Sequence, residues 1–209
     1  MSKEKDEYVW SDYPQEYSDQ LVQISREDNM DFFIEFDENG DIKNEDRLHP
    51  NWKELYWIVN SLKPKSVFEC GMGAGYHAAN IRAMCPETEI FGCDLLPEQL
   101  EKAKEFSKLP QDIIDNVRIL DFTKENDLPE RAFEFVYSMA VVMHLSTENA
   151  RLFLRNMGKI SKKYIFMVEG IKNHENWFEM VKETLPEFDF EVTNQYVDNG
   201  ILLTRKENE

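Results

Sequence analysis

Glu69-Cys70-Gly71-Met72-Gly73-Ala74-Gly75 follows the apolar pair Val67-Phe68, and Asp94 closes a second apolar run, Ile90-Phe91-Gly92-Cys93. A glycine turn after one strand, then a helix, then a second strand ending in a carboxylate is the arrangement that holds an adenosine-containing cofactor. The small residues let backbone N–H groups approach the ligand, and the acid accepts from ribose hydroxyls. Gly73-Ala74-Gly75-Tyr76-His77-Ala78 also satisfies the G-x-G-x-x-A form of a nicotinamide dinucleotide site, with Asp94 at about the expected ~20-residue spacing. A tight strand-to-helix connection without any ligand would use the same glycines.

Three features bear on the choice. Glu69, ahead of the first glycine, offers a carboxylate to a cationic amino acid end and would repel a pyrophosphate. Asp121, with Phe122, stands just after a third apolar run, Val117 to Leu120, where it can accept from an adenine amino group. The C-terminal pattern is a hairpin rather than a second catalytic domain. On these residues the chain resembles the class I S-adenosylmethionine-dependent methyltransferases, over roughly Pro64 to Arg205.

That resemblance implies roles by position. Gly71, Gly73 and Gly75 match the turn that lets the backbone approach the methionine part, and Glu69 matches the acidic residue that opens the motif. Asp94 falls where the family acid holds both ribose hydroxyls, with Leu95 against the adenine; Asp121 falls at the adenine amino group, with Phe122 lining the ring. Ser138, at the end of the fourth strand, joins this cofactor-binding set. The implied fold is an α/β, Rossmann-like three-layer sandwich. Its seven-stranded, mostly parallel sheet has the order 3-2-1-4-5-7-6, with strand seven antiparallel.

The elements that must position these residues can be read independently. Strands at 66–70, 89–94, 117–120, 133–138 and 164–168 alternate with helices at 75–84, 97–108, within 147–160 and at 175–184, a rhythm that argues for parallel strands joined by helical crossovers. Pro97 and Glu98 suit a helix first turn, and Lys102, Lys104 and Lys108 its later turns. Two strand-like runs, 188–197 and 201–205, are joined by Asp198-Asn199-Gly200, and Asn-Gly between apolar strands predicts a hairpin. Trp52, Leu55, Tyr56, Val59 and Leu62 fall on one helical face that Pro64 terminates. The first 49 residues are read as an N-terminal cap, with a helix at 15–24 and a short strand at 32–36, and 50–209 as the methyltransferase domain. The aromatics of the cap are packing residues, or a lid in which Trp10, Tyr13 or Tyr17 closes over a small substrate.

Ligands of open parallel sheets lie at the carboxyl ends of the strands, so the loops 138–146 and 169–176 are expected to form the substrate site. The chemistry there is alignment of a nucleophile, exclusion of water and removal of a proton, for which a base near neutral pKa serves. His144, in Met143-His144-Leu145, is the preferred catalytic residue, with packing at a helix start as its competing role; His174 is second. Glu169 ends the fifth strand and is read either as a contact for a cationic or hydroxylated substrate or as a solvated strand end. His77 is assigned to the first helix and His49 to a loop. Ser138-Met139-Ala140 lacks the Asn/Asp-Pro-Pro-Tyr run of nucleobase amino methyltransferases and the aspartate of metal-dependent catechol-type members. Asp37-Glu38-Asn39-Gly40-Asp41 imitates the start of a calcium loop, but Ile42 and Leu48 stand where glycine and the bidentate glutamate are needed, so no metal is expected.

Composition narrows the partners. Among 209 residues, 24 Lys+Arg oppose 41 Asp+Glu, and the formal net charge of −17 creates a field that repels nucleic acid and anionic membranes. Cys70, Cys85 and Cys93 have no metal-pair spacing and read as reduced thiols. No charged-then-apolar leader or membrane-length apolar run is present, and a cytoplasmic enzyme is expected. It would methylate oxygen or nitrogen of a small metabolite. The alternatives are a protein or peptide side chain as acceptor, or a non-catalytic S-adenosylmethionine-binding partner protein.

Overall fold

The computed structural model describes residues 30–169, 174, 176–197 and 199–207. Chain order is α1 (Pro50–Leu62), β1 (Ser66–Cys70), α2 (Tyr76–Met84), β2 (Glu89–Asp94), α3 (Pro97–Glu105), α4 (Gln111–Asp115), β3 (Val117–Ile119), β4 (Phe133–Met139), α5 (Thr147–Ile160), β5 (Ser161–Val168), α6 (Trp177–Thr184), β6 (Phe188–Thr193) and β7 (Gly200–Arg205). The sheet order is β3-β2-β1-β4-β5-β7-β6. β1 to β5 pair in parallel, whereas β7 is antiparallel to both β5 and β6. This is the expected Rossmann-like sheet, with the expected order.

Side-chain alternation along the strands builds the layers. Phe135 and Tyr137 of β4 face one side, with Val67, Phe166 and Val168, and pack on Leu55, Tyr56 and Val59 of α1 and Ile81 of α2. Val136 faces the other, with Phe68, Ile165, Met167 and Ile201, against Phe153, Leu154 and Met157 of α5 and Val181 of α6. α1 opens on Pro50, its N-cap His49 accepts from Asn51 N–H at 3.2 Å, and it ends at Lys63, left-handed at φ 43°, ahead of Pro64. α5 is capped by Ser146, whose Oγ accepts from Asn149 N–H at 3.3 Å.

Three expectations are corrected. The strand at 32–36 is absent: only isolated bridges, Asp31 with Leu48 and Phe36 with Ile42, occur there. Asparagine side chains take the backbone groups that a ladder would use. Asn80 Oδ1 accepts from Ile34 N–H and its Nδ2 donates to Phe32 C=O, while Asn44 does the same for Glu35 and Phe33. Second, the β6–β7 connection is longer than an Asn-Gly turn, because Thr193 pairs with Gly200 and 194–199 leave the sheet. Tyr196 explains the departure: its N–H donates to Glu54 Oε2 at 2.6 Å and its hydroxyl to Glu45. Third, the helix expected to reach Lys108 stops at Glu105, and Lys108 is left-handed at φ 50°. The expected helix at 15–24 and the lid residues Trp10, Tyr13 and Tyr17 lie outside the described residues, as does Asp198. Among the described residues no helix is long and apolar enough to cross a membrane, and no group of His, Cys, Asp and Glu converges as metal ligands would.

Candidate functional site

The carboxyl ends of four adjacent strands open into one cavity. β1 contributes Glu69, Gly71 and Gly73, β2 contributes Asp94 and Leu95, β3 is followed by Asp121 and Phe122, and β4 by Ala140, Val141 and His144.

The glycine turn is pinned to β2 by Gly71 and Met72 N–H groups, which both donate to Cys93 C=O at 2.9 and 3.0 Å. Gly71 is left-handed at φ +81°, and a Cβ there would lie 2.6 Å from Val141 Cγ2, so the turn and the segment after β4 approach each other across the cavity floor. Asp94 is held from both sides. Oδ2 accepts from Gly73 N–H at 2.9 Å and Oδ1 from Leu96 N–H at 3.0 Å, which fixes the carboxylate at the rim. Burial raises its pKa, while the hydrogen bonds from Leu96 and Gly73 pull the other way.

Glu69 is buried, and its Oε2 accepts from Tyr137 Oη at 2.9 Å. Burial pushes its carboxyl well above the usual range, Tyr137 opposes that rise and the Asp94 charge adds to it. A buried carboxylate flanked by another is a receptor for a cation. For Asp121, burial raises the pKa, but the ion pair with Lys124 at 2.8 Å and bonds from Thr123 N–H and Oγ1 prevail and hold it below the usual range. Leu95 is partly exposed at the cavity wall, whereas Phe122 is buried between Phe68 and Phe153, with ring centroids at 6.1 and 5.1 Å.

On the β4 side, a residue that is not glycine, Ala140, takes φ +56°, and its N–H donates to Val168 C=O at 3.0 Å. This sharp turn feeds the 3₁₀ turn Val142–His144, which sets the His144 ring on the cavity wall. Burial lowers the His144 pKa below the usual 6.5, so the imidazole is neutral and able to accept a proton near neutral pH.

Ser138, Glu169, Gly75 and His174 do not line this cavity. Ser138 Oγ donates to Glu169 Oε1 at 3.0 Å and Met143 N–H donates to Oε2 at 3.3 Å, so the buried Glu169 ties the end of β4 to the turn that carries His144. His174 reaches the same turn, with Nε2 2.9 Å from Val142 C=O. Gly75 is the N-cap of α2 and touches α3 instead.

Glu169 makes the apoprotein sensitive to pH. Burial raises its pKa from 4.5 to about 7 against the opposing bonds from Ser138 and Met143. Because the folded-state value lies above the unfolded one, the stability it confers is present below pH 4.5 and lost as pH rises through 7. The loss amounts to roughly 3 kcal/mol at about 1.4 kcal/mol per pH unit. Glu69 acts in the same direction. Melting temperature should fall across that window, and Glu169→Gln should flatten the fall; an unchanged slope would place the titration elsewhere.

The sequence reading missed His77, Gln99 and Asn149, which also line the cavity. His77 and Gln99 are 3 % and 2 % exposed, and among the described residues His77 Nε2 and Gln99 Oε1 have no partner. The available signal was positional: both lie in the first turn of a helix that follows a ligand-facing strand end.

Comparisons with known proteins agree with this geometry. Residues 67–163 match a family described as a methyltransferase domain. Magnesium protoporphyrin IX methyltransferase from Synechocystis PCC 6803, solved with S-adenosylmethionine bound, superposes with TM-score 0.65 at 12% identity over 99% of this chain and 100% of that one. Human N-acetylserotonin methyltransferase, in complex with S-adenosylmethionine, gives TM-score 0.55 at 16% identity over 76% of this chain and 52% of its own. The PH0226 protein from Pyrococcus horikoshii OT3 gives 0.59 at 10% identity over 76% and 90%. These likenesses show a shared fold. No curated protein sequence matches this one.

Proposed function

We propose that the chain, whose residues 67–163 match a methyltransferase domain family, is a class I S-adenosylmethionine-dependent methyltransferase and that it transfers a methyl group to oxygen or nitrogen of a small metabolite. The observation that carries the reading is one cavity in which the carboxylates Glu69, Asp94 and Asp121 occupy successive strand ends and His144 faces them from the fourth.

The donor set fits this cofactor. Among the described residues, the lining contains three carboxylates and no lysine or arginine, which suits hydroxyls, an ammonium and an adenine amino group and would leave a pyrophosphate unpaired. When bound, S-adenosylmethionine supplies a methyl group already activated as a sulfonium. Asp94, anchored by Gly73 and Leu96, accepts from the ribose hydroxyls; Glu69 accepts from the ammonium; Asp121 meets the adenine amino group, with Leu95 and Phe122 along the ring. Ser138 and Glu169 act behind the site by holding the His144 turn. Met139, Val141 and Leu145 give the acceptor an apolar wall that excludes water, and His144 takes the proton that the acceptor oxygen or nitrogen releases. The step uses no metal.

If His144 is the base, kcat/KM rises with pH through a midpoint below the ordinary imidazole value and then stays level. His144→Ala should lower kcat by about a hundredfold, in the range general-base catalysis supplies. An unchanged kcat would leave alignment alone as the catalytic device. Incubating metabolite pools with methyl-labelled cofactor tests the acceptor class: label in a small molecule supports the proposal, and label confined to protein replaces it with side-chain methylation.

A further inference from the structure

His77 sits in the first turn of α2, immediately after the glycine turn, and is buried. The residue lines the cavity, its Nδ1 lies 2.9 Å from Tyr56 Oη, and among the described residues its Nε2 is buried without a partner. A polar group built to 3 % exposure and left unpaired beside a cavity is the mark of a group that a ligand completes.

The network behind His77 sets its protonation. Asn80 is oriented by Ile34 N–H and Phe32 C=O and donates from Nδ2 to Tyr56 Oη at 2.6 Å. A Tyr56 hydroxyl that donates onward to Nδ1 leaves the imidazole proton on Nε2. Burial also depresses the ring's pKa to about 3, so the group is a neutral donor. Its position selects the ligand atom. Asp121, Asp94 and Glu69 follow one another along β3, β2 and β1, and His77 lies past Glu69, its ring 6.5 Å from that of Tyr137 on β4. That is the amino acid end of the proposed cofactor. An amino acid end brings a carboxylate as well as an ammonium, and the described lining holds no lysine or arginine to meet it.

We propose that His77 donates from Nε2 to the α-carboxylate of the cofactor's methionine end, beside the ammonium held by Glu69. This rests on the cofactor reading above, and the test separates the two by comparing S-adenosylhomocysteine with 5′-methylthioadenosine, which lacks the amino acid end. Calorimetry of His77→Ala should show affinity for S-adenosylhomocysteine lower by roughly tenfold or more, the scale of a hydrogen bond to a charged group, with 5′-methylthioadenosine unaffected. His77→Gln, which sets an amide N–H near the Nε2 position, should recover part of the loss. Equal losses for both ligands, or no loss for either, would overturn the proposal while leaving the cofactor reading intact. A wild-type protein that binds neither ligand would overturn the cofactor reading and this one with it. In the apoprotein the His77 ring 15N shifts should be those of the neutral Nε2–H tautomer; an Nδ1–H tautomer would contradict the proposal.

Discussion

Asp94→Ala should reduce affinity for S-adenosylmethionine by a hundredfold or more while the protein stays folded. Two hydroxyl-to-carboxylate hydrogen bonds, at about 1.5–3 kcal/mol each, would disappear together. The substitution also removes the acceptor for Gly73 and Leu96 N–H groups, 2.9 and 3.0 Å away, so the glycine turn loses the anchor that holds it toward the cofactor. Asp94→Asn should fall between the two, because its single carbonyl oxygen can keep one of those backbone donors. Titration calorimetry reads all three proteins. Near wild-type affinity in Asp94→Ala would mean that the ribose lies elsewhere.

Gly75→Ala should be strongly destabilising. Gly75 is left-handed at φ +73°, and an added Cβ would sit 2.8 Å from Leu109 Cδ1 and 3.0 Å from Ala103 Cβ. The leucine tip can rotate, but Ala103 has only its backbone to move, so α3 would be pushed off the start of α2. Backbone strain of about 1–2 kcal/mol adds to overpacking of about 1–3 kcal/mol, and together they should lower the melting temperature by roughly 5–20 °C at about 2–4 °C per kcal/mol. Gly40→Ala isolates the two contributions. Gly40 is also left-handed, at φ +86°, yet nothing lies within 4 Å of its virtual Cβ, so only the strain should register. Equal losses at both positions would show that packing of α3 on the turn contributes nothing.

The sheet was legible in the sequence wherever the local pattern and tertiary packing agree. β1, β2 and α5 begin and end where apolar runs, glycines and a serine cap indicate, because the strands are buried on both faces and the helix has a clear apolar stripe. Legibility failed where a side chain from a distant segment settled the backbone. Phe32–Phe36 has the composition of a strand, but Asn80 and Asn44 capture its N–H and C=O groups. Val192 to Val197 looks continuous, but Glu54 on α1 draws Tyr196 out of the sheet.

The site divides along the same line. Glu69, Gly71, Gly73, Asp94 and Asp121 were readable because each lies at or just past the carboxyl end of its strand, and chain position then determines location. Glu169 and Ser138 were read at the right strand ends but given ligand contacts; their mutual hydrogen bond, across 31 positions of sequence, turns both away from the cavity. His77 was read as an ordinary helix residue. Its significance depends on Tyr56 and Asn80, which engage Nδ1 and leave Nε2 without a partner among the described residues.

The most direct test of the account is a calorimetric titration of the unmodified protein with S-adenosylmethionine and, separately, with NAD. A cradle of three carboxylates without a described lysine or arginine predicts saturable binding of the sulfonium nucleoside and no heat from the dinucleotide. Binding of NAD with no response to S-adenosylmethionine would contradict it.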